Sequence, residues 1–396
     1  MKNTVIALAA AAALTLPGLA GAQGKDLKIA MLLPTSAVFA VYGEAIMEGF
    51  NLALEEAGNK AAGRNIVLLK EDNKEDPRTS LSLVRKYIKD DNVDFIVGPI
   101  ASHVVAAIRD DIHRSKTFLV VPNAGNNDVT GKTCSPYIIR TSFSNWQANY
   151  PMGLYAAEAV GKSAYTVASN YDAGREMAAA FAQGFAEKGG KVTAEEWPAL
   201  GTADFAPTIT NVRGKAADLD TLWFFIPGTS GPRLVNQVSQ SGLRSGKLKV
   251  SGPVFMADEL FFGAMGDAAI GMLGSGHYVA SIDTPRNNAF QAAFRKKYGN
   301  RVAHVVHVQG YDSAKLILAA VEATKGDLSD KDKLRAAMTS VQLDSPRGKI
   351  SIDPKTGNVV QNIYITEVIK RADGTLGHKV LRTYDQVRDK GEGCAL

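Results

Sequence analysis

The sequence predicts an α/β protein with two lobes, each built on a parallel sheet. Short apolar runs of strand length alternate with longer segments whose apolar residues recur at helical spacing, and this alternation is typical of parallel sheets covered by helices on both faces. The chain has 396 residues, of which 45% are hydrophobic. Because this length exceeds what one hydrophobic core usually serves, two lobes are expected.

The first part of the chain repeats a strand followed by a helix. Apolar runs predict strands at 28–33, 66–69, 95–97 and 118–121. Helices follow each of the first three strands and are predicted at 43–57, 76–89 and 102–113. The second of these helices begins at Asp76-Pro77, since proline is tolerated in the first turn of a helix.

A second series of strands and helices follows. Its strands are predicted at 137–139, 165–168, 222–226 and 254–256. Its first helix, at 146–160, contains Pro151, which either starts or kinks it, and its second helix ends at Gly189-Gly190. A helix at 311–323 and a strand at 363–368 come last, and they could complete either lobe.

The first 22 residues have the pattern of a secretory signal peptide. Lys2 precedes a mostly apolar run at 5–16, and the small residues Ala20-Gly21-Ala22 supply a cleavage site. The apolar run is shorter than the ~20 residues that span a bilayer, and no later segment is expected to reach that length. Position 22 is Ala, so there is no cysteine for a lipid anchor. A soluble periplasmic protein, cleaved near Ala22, is predicted.

Charge and cysteine content narrow the possible partners. The formal net charge is +5, and no long Lys/Arg block interrupts the mixed surface charge, so nucleic acid is not an expected partner. The only cysteines are Cys134 and Cys394. In an oxidising compartment such a pair more often forms a structural disulfide than free thiols, and a metal pair or a nucleophile is the minor alternative.

Several motifs that would indicate catalysis or a cofactor are incomplete. Gly125 and Gly131-Lys132 are one residue too far apart for a phosphate-binding loop. His304 and His307 lie in a valine-rich stretch that predicts a strand, where the two rings would point to opposite faces and could not share a zinc ion. No Gly-x-Ser-x-Gly elbow occurs. The sequence therefore predicts no enzyme, no metal and no cofactor.

The loops that follow the predicted strands hold the candidate binding residues. Ser102 begins a helix directly after a buried strand, at the edge where open α/β sheets bind ligands, so its hydroxyl and the first helical N–H groups could hold a carboxylate. The alternative is that Ser102 only caps the helix. Asn123, Gly125, Tyr42 and Tyr171 lie in or beside similar loops, where ordinary turns and packing explain them equally well.

In their order along the chain, these segments resemble the periplasmic substrate-binding proteins of ABC importers, of the leucine/isoleucine/valine-binding type. The segments that carry the resemblance are 31–36 with Tyr42-Gly43, 72–77, 98–102, 122–124, 140–142, 171–174 and 310–312. The resemblance implies a type I periplasmic binding protein, in which two Rossmann-like lobes are joined by three crossovers. By analogy the first lobe takes 26–143 plus 279–350, and the second takes 147–276 plus 353–396.

The resemblance also implies a ligand site between the lobes. In similar proteins the first lobe holds the ligand carboxylate, and the matching positions here are Ala101, Ser102, Asn123 and Gly125, with Tyr42 nearby. The second lobe closes over the ligand with positions that match Tyr171, Pro227 and Glu259.

Two ligand classes are compatible with the resemblance. An acid at the position of Glu259 pairs with the ammonium group in amino-acid binders, which indicates a branched-chain amino acid. Trp146 and the paired cysteines look like features of members that carry aromatic carboxylates. Either ligand would be delivered to a membrane permease by a protein expected to be a monomer. The alternative functions are a periplasmic hydrolase that uses the same cleft and a protein that presents its ligand to a sensor.

Overall fold

The computed structural model describes residues 25–396, so the predicted signal peptide at 1–22 lies outside the described residues. The described chain forms two separate sheets flanked by helices, one of six strands and one of nine. The prediction of a two-lobed α/β fold is confirmed.

The first sheet is almost entirely parallel. Its strands are β1 (Leu27–Leu33), β2 (Lys60–Ala61), β3 (Arg64–Asp72), β4 (Phe95–Val97), β5 (Phe118–Val121) and β6 (Ile138–Arg140). They lie in the order β2-β3-β1-β4-β5-β6, and β2 alone pairs antiparallel. The apolar side chains of β1, β4, β5 and β6 are buried on both faces, as continuous hydrophobic runs predict, whereas those of β3 are partly exposed.

The helices after the first strands begin close to where the sequence predicts. They are α1 (Ala40–Glu56), α2 (Pro77–Lys89) and α3 (Ser102–Ser115). Asp76 caps α2 by accepting the N–H of Thr79 at 2.8 Å, with Pro77 in the first turn. The stretch Ala37–Glu56 is long and apolar enough to span a membrane by composition, contrary to the expectation from sequence. It is largely buried inside the protein, which is typical of a core helix.

The second sheet combines a parallel half with an antiparallel half. Its strands are β7 (Ser163–Ala168), β8 (Lys191–Glu196), β9 (Thr221–Phe225), β10 (Lys249–Pro253), β11 (Leu273–Gly276), β12 (Gln342–Ser345), β13 (Gly348–Ile352), β14 (Val359–Lys370) and β15 (Leu376–Val387). Strands β7 to β11 pair in parallel, whereas β12 to β15 form antiparallel pairs that extend the sheet from β11.

This topology bears on three sequence-based expectations. The strand predicted at 254–256 is wrong: these residues form a single 3-10 turn directly after β10. The strand predicted at 363–368 lies within β14 and therefore belongs to the second sheet. The hairpin of β12 and β13 also joins the second sheet, although most of it falls in the range 279–350 predicted for the first lobe. The lobe boundaries stay a prediction.

The remaining helices pack against these sheets. They are α4 (Asn145–Ala159), α5 (Asp172–Glu187), α6 (Ala206–Arg213), α7 (Gly231–Gln240), α8 (Phe262–Met265), α9 (Pro285–Tyr298), α10 (Val305–Ala323) and α11 (Lys331–Ser340). Pro151 lies inside α4 and does not start it. Helices α1 and α10 cross so closely that only glycine fits at two contact points. A β-carbon on Gly49 would lie 1.8 Å from the His307 carbonyl oxygen, and one on Gly310 would lie 2.1 Å from the Ile46 carbonyl oxygen.

The prediction of a strand around His304 and His307 is wrong. His304 is the N-cap of α10 and accepts the N–H of Val306 at 3.4 Å, while His307 Nδ1 accepts the His304 N–H at 3.0 Å. The two ring centroids are 3.9 Å apart, so the rings lie together and do not point to opposite faces. These capping bonds override the strand preference of the neighbouring valines.

The predicted disulfide between Cys134 and Cys394 is confirmed, with a Cα to Cα distance of 5.5 Å. Cys134 precedes β6 in the first sheet, and Cys394 follows β15 in the second. The bond therefore connects the end of the second sheet to the first lobe.

A buried arginine holds together segments that run between the two sheets. Arg347 Nε donates to Asp312 at 2.8 Å, and its Nη1 donates to the Ser142 carbonyl at 3.1 Å. It also bonds to the Thr141 carbonyl and to Gln361. Burial lowers the pKa of Arg347 and raises that of Asp312, while each partner's opposite charge works against that shift.

Candidate functional site

A small cavity of about 30 Å³ lies between the two sheets, at the carboxyl ends of their parallel strands. This volume is far below the ~300–1,000 Å³ usual for small-molecule sites, so an organic ligand fits only when the lobes move apart. The lining residues are Phe39, Tyr42, Ile100, Ser102, Asn123, Gly125, Phe143, Asn145, Tyr171, Ala173, Met177, Phe225, Pro227, Phe255 and Val306. They follow β1, β4, β5 and β6 of the first sheet and β7, β9 and β10 of the second, apart from Val306 at the start of α10.

Aromatic side chains form much of the cavity wall. Phe143 and Phe255 have ring centroids 5.5 Å apart, and Phe225 lies 5.9 Å from Phe255 and 6.1 Å from Tyr171. These rings contact one another in tilted, stacked and edge-to-face arrangements, so together they present an apolar aromatic wall to the cavity.

Ser102 is oriented as a donor toward the cavity. The N-cap of α3 is Ala101, and the Ser102 side chain makes no capping bond, so the interpretation that Ser102 only caps the helix is wrong. Its Oγ accepts a hydrogen bond from Asn145 Nδ2 at 3.2 Å. Since the oxygen is occupied as an acceptor, the hydroxyl hydrogen is left to donate to a ligand.

The structure places Ala101 behind the cavity and outside its lining. The Ala101 N–H donates to Glu75 Oε2 at 2.9 Å, and the Ile100 N–H donates to Glu75 Oε1 at 3.0 Å. Burial raises the pKa of Glu75 to about 7, although these backbone bonds favour its charged form. Ala101, at a position that the resemblance matches to the carboxylate-binding lobe, therefore uses its N–H for Glu75.

Asn123 and Gly125 both line the cavity. Asn123 Nδ2 donates to Gln309 Oε1 at 2.8 Å, which fixes the orientation of its amide. A β-carbon on Gly125 would lie 2.2 Å from Asn145 Oδ1. Glycine is thus required here to make room for Asn145, whereas the sequence suggested close approach to a ligand.

Tyr42, Tyr171 and Pro227 lie around the cavity at the junction of the two lobes. The Tyr42 hydroxyl accepts the N–H of Gly228, which follows Pro227, at 3.2 Å. Burial raises the pKa of Tyr42 and of Tyr171, so both hydroxyls stay protonated. Neutral hydroxyls of this kind can donate to an anionic ligand.

Glu259 does not line the cavity. Its Oε1 lies 3.3 Å from His378 Nδ1. Burial opposes its ionisation, yet the adjacent His378 holds the pKa of Glu259 below its ordinary value. Among the described residues, those that line the cavity include no Asp, Glu, Lys or Arg, so the cavity wall offers no carboxylate to an ammonium group.

Sequence reasoning missed several lining residues. Phe143 lies in the segment between β6 and α4, Asn145 is the first residue of α4, and Phe255 lies in the turn that was predicted as a strand. The position of 143–145 after a buried strand is the signal that could have indicated them, because the loops after neighbouring strands were already considered as binding loops.

Two α/β lobes that enclose a small cavity define a ligand-binding protein that closes around its ligand. The chain belongs to the periplasmic binding protein family, whose model matches residues 26–375. Members of this family are transport binding proteins. Leu/Ile/Val-binding protein homolog 6 of Brucella melitensis biotype 1 is 30% identical over 391 residues, which are 98% of this chain and 98% of that protein.

Two solved structures share both the fold and about a third of the sequence. An ABC transporter solute binding protein from R. palustris, in complex with benzoate, has a TM-score of 0.87 and 30% identity, and covers 94% of this chain and 100% of its own. A solute binding protein from Rhodopseudomonas palustris BisB5, in complex with 3,4-dihydroxy benzoic acid, has a TM-score of 0.87 and 32% identity, and covers 93% of this chain and 99% of its own.

Proposed function

We propose that the mature chain, released in the periplasm by cleavage near Ala22, binds a small aromatic carboxylate and delivers it to the permease of an ABC importer. The observation that carries the proposal is the cavity itself, which combines aromatic walls with uncharged hydroxyl and amide donors. The two benzoate-binding relatives have the same fold over nearly the whole chain.

The lining offers polar donors to a carboxylate and apolar contacts to an aromatic ring. Ser102 and the first N–H groups of α3 supply donors and a favourable helix dipole for the anion. Phe143, Phe225 and Phe255 enclose the space beside them. A ligand that contacts both lobes stabilises the closed form of a hinged protein.

An amino acid fits this cavity less well. Its ammonium group would need an acceptor, and Glu259, the residue expected to supply one, is paired with His378. A buried ammonium without a carboxylate partner is costly. Hydrolysis in the same cleft is also disfavoured, because the Ser102 oxygen is bonded to the amide of Asn145 and not to an imidazole base.

Thermal unfolding of the purified mature chain tests the proposal. Benzoate, 4-hydroxybenzoate and leucine are added separately, and calorimetric titration gives the affinity of each. We expect the two aromatic acids to raise the melting temperature, as linkage of binding to folding requires, and leucine to bind more weakly. Tighter binding of leucine, or no shift with any of the three, would contradict the proposal.

Ser102→Ala is expected to weaken benzoate binding by about 1–3 kcal/mol, roughly 5- to 150-fold in Kd, because a charge-assisted hydrogen bond is lost. Titration calorimetry measures the change. Ser115→Ala, at the opposite end of α3, is the matched control, since within residues 25–396 the Ser115 hydroxyl bonds only to the Ile112 carbonyl and the Thr117 N–H. Equal affinities for both variants would leave Ser102 without a role in binding.

A further inference from the structure

Glu176 joins the two lobes beside the cavity. It lies on α5, which follows β7 of the second sheet, next to the lining residue Met177. Its Oε1 accepts from Asn126 Nδ2 at 3.1 Å, and its Oε2 accepts the Asn127 N–H at 2.9 Å. Asn126 and Asn127 follow β5 of the first sheet. One carboxylate thus holds a first-lobe loop against a second-lobe helix.

The same carboxylate reaches the ligand site through Asn145. Asn145 is fully buried, and its Nδ2 donates to Glu176 Oε2 at 2.7 Å and to Ser102 Oγ at 3.2 Å. Since both N–H bonds of this amide are used, its orientation is fixed, and so is its bond to the Ser102 oxygen, which leaves the Ser102 hydroxyl hydrogen available for a ligand. Carboxylate, amide and hydroxyl form one continuous chain from the lobe junction to the cavity.

We propose that Glu176 is a positioning residue that couples ligand capture to lobe closure. It orients Ser102 through Asn145, and its bonds to Asn126 and Asn127 hold the two lobes together. The inference rests on the proposed function, because it assigns to Glu176 the retention of the ligand that Ser102 contacts.

Glu176→Gln keeps the size of the side chain but replaces one acceptor oxygen with a donor, so the three N–H groups no longer all have an acceptor. Dissociation of benzoate, followed by stopped-flow fluorescence, should become about 10- to 100-fold faster. Opening of the closed form limits release of the ligand, so loss of these bonds acts mainly on dissociation. The association rate should therefore change by less than about threefold. Glu176→Asp, which keeps the charge, should restore part of the slow release.

Glu187→Gln is the matched control, because Glu187 lies at the end of the same helix and bonds to the Tyr150 hydroxyl away from the cavity. Unchanged dissociation in Glu176→Gln would overturn the proposal. The proposal would also be overturned if the association and dissociation rates of benzoate changed by the same factor and the unliganded variant melted at a lower temperature. That result would indicate a purely structural role for Glu176.

If the wild-type chain binds no aromatic acid, the proposed function fails and the role of Glu176 is decided separately. Small-angle scattering of the unliganded proteins then compares the wild type with Glu176→Gln. A larger radius of gyration in the variant supports the junction role, and an identical radius overturns it.

Discussion

Replacing Arg347 by methionine is expected to lower the free energy of unfolding by about 3–5 kcal/mol. The side chains of Arg347 and Asp312 are 0% and 1% exposed, so the variant leaves a carboxylate buried without its counter-charge. The carbonyl groups of Thr141 and Ser142 also lose their donor. These carbonyls lie where the chain leaves the first sheet, so the loss falls on the junction between the lobes.

Urea denaturation followed by circular dichroism measures the effect of Arg347→Met. Lys370→Met is the matched control, because Lys370 and its partner Asp267 are 49% and 70% exposed, and an exposed pair contributes no more than about 1 kcal/mol. The double variant Arg347→Met/Asp312→Asn should lose less than Arg347→Met alone, since it removes the unpaired charge. A loss in Arg347→Met no larger than that of the control would contradict the expectation.

Removal of the disulfide is expected to lower the free energy of unfolding by about 2–5 kcal/mol. The bond closes a loop of 260 residues, and its loss lets the unfolded chain occupy many more conformations. The double variant Cys134→Ser/Cys394→Ser should therefore melt at a lower temperature than the oxidised wild type, as differential scanning calorimetry would record.

Reductant supplies the control for this prediction. It should bring the wild type to the melting temperature of the double variant and leave the double variant unchanged. A thiol reagent should label the unfolded wild type only after reduction. Equal labelling of the wild type before and after reduction would show that the bond does not form. Equal melting temperatures of the oxidised wild type and the double variant would show that it does not stabilise the protein.

Buried strands and helix starts could be predicted because their signals are local. The apolar runs that form β1, β4 and β5 are continuous, and Asp76-Pro77 marks the start of α2 within two residues. The stretch around His304 could not be predicted, because valines favour a strand and the capping bonds of the two histidines appear only in the folded chain. The antiparallel addition of β14 to β11 joins segments almost 90 residues apart, for which no local pattern exists.

The residues of the candidate site likewise divide into those whose position could be predicted from the sequence and those whose position could not. Tyr42, Ser102 and Tyr171 surround one cavity because each lies near the end of a parallel strand, a position that the order of elements indicates. Their contact with a ligand stays a prediction. The positions of Ala101 and Glu259 depend on Glu75 and His378, which are 26 and 119 residues away along the chain. Such distant partners have no signature in the segment itself.

The Cys134 to Cys394 bond also constrains how the protein matures. Cys394 follows β15, so every strand of both sheets in the described chain precedes it, and Cys134 emerges 260 residues earlier. During synthesis and export Cys134 therefore emerges before its partner, and the bond cannot form until Cys394 is present. Oxidation therefore requires the chain as far as Cys394, and the bond then ties the segment after β15 to the first lobe.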